Sequence, residues 1–374
     1  MFRLGQWLSA VLLLGAWGQT RFAVFAAAIA GSQWLTAVAS AGAEKTLIAL
    51  APLPNGSAVR RRLLAWMSLG LVVVVGLTAA LTLFEGRIRP WPVAMVYGAS
   101  VGALLVAVAA LRLARRMWPD LLAMSAIGLA HVLAAGLALV GQWPVVAVLS
   151  ALAGVAALAA TLTLLAAWRL NGGATGTSPR SVHLVREMSL TGASEVCNML
   201  AVAVVYAILA STRHAQQAAD LYVASMVGQV AIGAVAYLMR LSGGALAVAG
   251  PVAAGVESAA ASRFRTCAMV TAPHLAVVAG LLATPLPDRV LVSLATLLAV
   301  PPTLLVLRAS AWAEFSAAAG RRASATAAVA GLLTAVGLAS FLIGITGATG
   351  GIISLLAGIG VQSLVAGHLL RKAG

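Results

Sequence analysis

Apolar runs near twenty residues long recur from one end of this chain to the other, and that recurrence leaves few folds open. A helix of about 20 residues, rising ~1.5 Å per residue, crosses a ~30 Å hydrocarbon core with its backbone groups paired internally. Soluble domains carry roughly a quarter of their residues as charges. Here charged residues make up 9% of 374 and hydrophobic residues 62%, too little polar surface to coat a globule. The chain reads as an all-α polytopic membrane protein. Twelve spans are expected, at about 2–18, 22–42, 63–84, 91–111, 120–140, 144–168, 188–210, 221–241, 266–285, 289–309, 323–343 and 349–370. The first carries Arg3 and Gln6, and no small-x-small cleavage site follows "AVLLLGAWGQT", so it is read as a retained helix.

A net charge of +15 raises the question of nucleic acid, which the arrangement of charge excludes as a partner. The basic residues come in short clusters between apolar runs, as in cytoplasmic loops. With the N-terminus inside, only Arg21, Arg87, Arg89, Arg213 and Arg289 fall outside, so both termini are expected in the cytoplasm. Trp91, Trp118, Trp143 and Trp168 sit at span ends, where amphipathic rings favour the interface. Only Lys45 and Lys372 are lysines, and alanine is abundant, a bias of GC-rich bacterial genomes; the bacterial inner membrane is the expected location. Cys197 and Cys267 both fall in or beside spans and predict neither a disulfide framework nor a metal site. The longest outer loop, around "STRHAQQAAD", is too short for a catalytic domain, and no Walker loop, zinc spacing, nucleotide fingerprint or serine elbow occurs. Neither a cofactor nor an enzymatic activity is expected.

The two halves of the chain resemble each other. "VFAAAIAGSQ" (24–33) lies on "LYVASMVGQ" (221–229), matching Phe25 with Tyr222 and Gly31 with Gly228. Pro52 precedes Arg60 to Arg62 as Pro251 precedes Arg263 and Arg265. An even number of spans separates the copies, so both enter the membrane in the same direction. The expected organisation is an N-terminal six-helix bundle over 1–170, a cytoplasmic linker over 171–187 and a C-terminal six-helix bundle over 188–374.

Three spans carry polar stripes at helical spacing. Glu187, Thr191, Glu195 and Asn198 share one face of span seven, with Arg186 at its cytoplasmic end. Tyr222, Ser225 and Gln229 share a face of span eight, which ends near Arg240. Gln33, Thr36, Ser40 and Glu44 recur on span two, followed by Lys45. Plainer readings stand beside the functional one. Hydroxyls in membrane helices often bond their own backbone. Gln33 and Gln229 serve equally as interhelical glue. Glu44 with Lys45, and Arg186 with Glu187, read as interfacial charges that snorkel. Glu195 lies about 12 Å along the axis from Glu187, at ~1.5 Å per residue. An ionised carboxylate at that depth costs at least ~2.5 kcal/mol, so it either lines a wet cavity or is a neutral hydrogen-bonded group. His131 and His274 are lone histidines and read as structural. Pro301-Pro302 is expected to break or kink span ten.

"GQTRFAVFAAAIAGSQWLTAVASAGAEKTLI" (18–48) resembles the second-helix region of bacterial polysaccharide flippases of the multidrug/oligosaccharidyl-lipid/polysaccharide exporter superfamily, with Phe25, Gly31 and Gly42 in the places of that family's aromatic and glycines. "ADLYVASMVGQVAIGAVAYLMRLSGGALAVAGP" (219–251) looks like its eighth-helix region. The resemblance implies two parallel-repeat six-helix bundles around a central cavity lined by helices 1, 2, 7 and 8. It also implies a flippase moving a lipid-linked glycan by alternating access. The candidate cavity residues are then Gln33, Ser40, Lys45, Arg186, Glu195, Asn198, Gln229 and Arg240. Lys45, Arg186 and Arg240 would meet an anionic phosphate link. Glu195 would hold a coupling ion, H+ or Na+, or pair with one of those arginines. A small-molecule exporter is the alternative, and a membrane enzyme of glycan assembly is disfavoured by the short loops.

Overall fold

A computed structural model describes residues 2–50, 56–86, 88–114, 116, 118–171, 181–249, 256–316 and 318–373, without the side chains of 49, 171, 235–249, 256, 257, 315, 316, 318 and 373. Among the described residues the regular structure is entirely helical. The helices are α1 (Phe2–Leu50), α2 (Gly56–Glu85), α3 (Pro90–Leu113), α4 (Trp118–Gly141), α5 (Val145–Asn171) and α6 (Ser181–Ala210), then α7 (Gln217–Ala249), α8 (Val256–Leu281), α9 (Asp288–Ser316), α10 (Ala318–Thr346) and α11 (Ala348–Ala373).

At 49 residues α1 would be roughly 73 Å long if straight, more than twice the hydrocarbon thickness. It is not straight. Gly18 has φ 68° and ψ 176°, a conformation only glycine adopts without strain, and it divides α1 into arms 2–17 and 19–50. Among the described residues, the two arms and the ten later helices fall over the twelve expected spans. Among the described residues ten of the eleven helices, α1 counted once, are long and apolar enough to cross a membrane by length and composition, and the chain is a multi-pass membrane protein. Pro301 and Pro302 lie inside a continuous α9, so of the expected break or kink the break does not occur.

The chain separates into two compact units, Met1–Gly192 and Ala193–Gly374. The first unit holds α1 to α5 and the opening turns of α6. Its centre is α3, which is buried along most of its length, whereas α2 leaves Leu69, Val72, Leu77 and Leu83 exposed. Lipid is as apolar as leucine, so helix contacts here depend on close packing rather than on water expelled. Glycines supply it. A Cβ on Gly98 would stand 2.6 Å from the carbonyl oxygen of Ser32, and one on Gly102 would stand 2.6 Å from Ala39 Cβ. The second unit is built by α8 against α9 and α11, α7 against α9 and α10 against α11. Gly331 and Gly358 pack face to face, each a virtual Cβ 2.7 Å from the other's carbonyl oxygen.

The matched positions of the repeat behave alike. Phe25 and Tyr222 are each 1% exposed. Gly31 admits the ring of Trp91 on α3, the fourth span of its half, and Gly228 admits Val300 on α9, the fourth span of the other half. The starts of α7, α9 and α11 in the second unit share one staple. Gln217, first residue of α7, donates from Nε2 to Asp288 Oδ2 (2.9 Å) at the start of α9, and its Oε1 accepts from the backbone N–H of Ala348 (2.8 Å), the first residue of α11. Gly347, at φ 62°, makes the turn that delivers that N–H.

Candidate functional site

The polar residues of the second arm of α1 divide by what they touch. Ser40 is buried and donates to the carbonyl of Thr36 in its own helix at 2.7 Å, the plain reading of a membrane serine. Thr36 instead donates across to the carbonyl of Gly98 on α3, at 2.8 Å, where glycine removes the side chain that would block it. Gln33 is half-buried one turn earlier. At the end of the arm, Lys45 donates from Nζ to the backbone carbonyl of Thr191 on α6 (3.1 Å), and the Thr46 and Thr191 hydroxyls are 3.3 Å apart. Small residues make this crossing possible: a Cβ on Gly192 would stand 2.6 Å from the backbone nitrogen of Gly42. Lys45 therefore acts as an interhelical donor.

Glu44, which the sequence reads as a snorkelling interfacial charge, is only 2% exposed. Its Oε1 lies 3.8 Å from Arg112 Nη1, and Arg112 in turn donates from Nε to Asp120 Oδ2 at 2.6 Å. One guanidinium on α3 thus faces two carboxylates, one from α1 and one from α4.

On α6 the stripe turns out to have two edges. Thr191 bonds its own helix, donating to the carbonyl of Glu187 at 2.8 Å. Glu195 and Asn198 are half-buried, and Arg186 is exposed. Ser194, about 100° around the helix from Glu195, points inward at 2% exposure and donates to Glu314 on α9. Ser324 of α10 donates to the same Glu314 oxygen at 3.2 Å. Glu314, 1% exposed, is a carboxylate the sequence reading missed, because it lies beyond the expected end of span ten at 309. The signal was present: "ASAWAEFSAAAG" has no helix breaker before Gly320, so the helix continues past the apolar window. On α7, Tyr222 is buried, Ser225 donates to the carbonyl of Tyr222 at 2.8 Å, and Gln229 is half-buried. The backbone of Arg240 is helical, and its side chain lies outside the described residues.

A second polar cluster lies wholly inside the first unit. Gln6 donates from Nε2 to the hydroxyl of Tyr97 (3.2 Å), which is 2.8 Å from His131 Nε2, while His131 Nδ1 is 3.4 Å from Ser9 Oγ. Ser9 donates to the carbonyl of Gln6 at 2.8 Å. Placing the imidazole proton on Nδ1 satisfies every donor in this ring: amide to phenol, phenol to Nε2, Nδ1–H to serine, serine to carbonyl. The lone His131 is therefore a structural histidine. Although serine and histidine are adjacent, both are 1% exposed, sealed from any substrate. His274 is likewise paired, its Nδ1 2.8 Å from the Val270 carbonyl.

No protein-family model and no curated protein sequence matches this chain. Solved structures do. An inward-facing multidrug resistance MATE family transporter of the MOP superfamily aligns with all of this chain and 93% of its own, at 14% identity and a TM-score of 0.58. A MOP superfamily transporter from Pyrococcus furiosus aligns with 99% of this chain and 91% of its own, at 18% identity and a TM-score of 0.57. A MATE protein in its bent conformation aligns over the same shares at 16% identity and a TM-score of 0.60. The first two carry the name of the superfamily the sequence motifs resemble, and at such identities the likeness is one of fold.

Proposed function

We propose that this chain is a secondary transporter that moves a lipid-linked glycan precursor across a bacterial inner membrane by alternating access, with both termini in the cytoplasm. The observation that carries the transporter reading is the likeness of fold over the whole chain to MOP superfamily transporters. A sugar headgroup cannot cross hydrocarbon unaided, because each unsatisfied polar group costs several kcal/mol there. The half-buried Gln33, Glu195, Asn198 and Gln229 offer donors and acceptors for such a group on helices otherwise apolar. Lys45, Arg186 and Arg240 supply cations for a phosphate link, and Glu195 holds a coupling ion, H+ or Na+. The exposed apolar face of α2 suits a cargo whose tail stays in lipid.

Deletion of the gene tests this. Lipid-linked intermediate should accumulate on the inner leaflet, surface polymer should disappear, and the wild-type gene should restore both. Glu195→Gln should reach the membrane normally and fail to restore export; full export with Glu195→Leu would remove the site. For orientation, a cysteine at Ala215 should react with an impermeant thiol reagent from outside and one at Ser57 should not. A second reading, export of small molecules, is favoured by the multidrug transporters among the structural neighbours. Unchanged glycan export with altered drug sensitivity would establish it in place of the first.

A further inference from the structure

In the second unit an arginine of α8 stacks on a tryptophan of α9, and a second arginine stands one helical turn from that tryptophan. Arg308 and Trp312 are four residues apart on α9 and so lie one above the other on a single face. Arg263 of α8 lays its guanidinium over the Trp312 ring, 4.1 Å from the centroid. Cys267 Sγ meets the Pro302 carbonyl at 3.7 Å, so α8 and α9 run side by side here, and Arg263 stands within reach of the like charge of Arg308. The platform is fixed, because Trp312 packs against the cluster of Phe264, Ala309 and Ala313.

Bringing two guanidiniums together is unfavourable unless an anion joins them. Among the described residues neither Arg263 nor Arg308 has an ion pair or a hydrogen bond, Arg308 is exposed and Arg263 half-exposed. Stacking occupies the face of a guanidinium and leaves its in-plane N–H donors free, in the fork geometry that matches phosphate. This end of α8 and α9 is the one the basic residues mark as cytoplasmic. Below Arg263, at steps of seven residues, Val270 and Val277 continue the same face of α8, and Val277 is exposed, an apolar track such as an acyl chain requires.

We propose that Arg263 and Arg308, positioned by Trp312, bind the headgroup phosphate of an anionic phospholipid at the cytoplasmic face of the membrane. The site is independent of the transported cargo. It holds a lipid of the surrounding leaflet, as basic pockets between membrane helices do.

The test uses the purified full chain, delipidated in detergent and exposed to an equimolar mixture of phosphatidylglycerol and phosphatidylcholine, with retained lipid counted by native mass spectrometry. Phosphatidylglycerol should be retained in preference. Arg308→Gln, at an exposed position that leaves the fold intact, should lower its retention about fivefold, the effect of one interfacial cation. Arg263→Gln with Arg308→Gln should lower it further, with the melting profile checking that the doubly substituted chain is folded. Arg265→Gln, on a neighbouring exposed face, should retain lipid like the wild type. Equal retention of the two lipids, or no loss in Arg308→Gln, overturns the proposal. Displacement of the lipid by low-millimolar inorganic phosphate also overturns it, since the site would then be one for a soluble anion.

Discussion

The two units solve the same problem differently. Each buries a carboxylate, Glu44 in the first and Glu314 in the second. Glu44 faces a guanidinium that it shares with Asp120, whereas Glu314 receives two serine hydroxyls, from α6 and α10. Charge compensation is strong but brittle: removing the cation leaves buried charge behind. Hydroxyl donation is weaker and more forgiving, since a serine that loses its acceptor can turn back to its own helix carbonyl. The pattern extends outward. The first unit also carries the closed ring through Gln6, Tyr97, His131 and Ser9, while the second has a looser set in which Ser363 approaches Cys267 at 3.1 Å and Thr271 bonds its own helix. Both units pack through small residues; what differs is the polar complement, a shared guanidinium and a closed ring in the first, hydroxyls on one carboxylate in the second.

The sharpest way to break this contrast is Arg112→Leu. It strands Glu44 and Asp120 together, and the expected loss is about 3–5 kcal/mol, read as a large fall in melting temperature and in the monodisperse yield of detergent-purified protein. A loss no greater than that of Glu314→Leu would erase the distinction. Glu314→Leu itself should cost about 2 kcal/mol, since two hydroxyls lose their acceptor. Glu314→Gln, which still accepts from serine, should stay within about 1 kcal/mol of the wild type in the same measurement. Tyr97→Phe opens the ring at its central hydroxyl and should cost about 1 kcal/mol, in the range of interhelical hydrogen bonds in membranes. Smallest of all is Ser40→Ala. Its hydroxyl is spent on its own helix, so melting should move by no more than about 0.5 kcal/mol equivalent, and a larger shift would reveal a contact across helices.

Much of the fold is legible in the sequence because membrane spans obey a length rule. The two arms of α1 are anticipated as separate spans even though they form one broken rod at Gly18, and the later helices fall where apolar runs end in charge or tryptophan. Periodicity also groups residues by face: both α6 and the second arm of α1 are continuous helices over the expected stripes. What a face meets is not local information. Thr36 and Ser40 are a turn apart on one stripe, yet the first bonds α3 and the second bonds its own helix, and the difference lies in Gly98, over sixty residues away. Glu44 beside Lys45 looks like an interfacial pair, but its partner Arg112 sits at the end of another helix. Glu314 escapes because a hydropathy window closes before the helix does.

Gln217 has a consequence for how the second unit tolerates change. Because the starts of α7, α9 and α11 are all referenced to one amide, their depths are set from a common datum rather than each by its own hydrophobic length. Errors in span length then do not accumulate from helix to helix; they emerge at the far ends of these helices. Insertions or a thicker bilayer should be accommodated at that opposite side first, and a one-residue change between Ser211 and Gln216 would shift the datum itself.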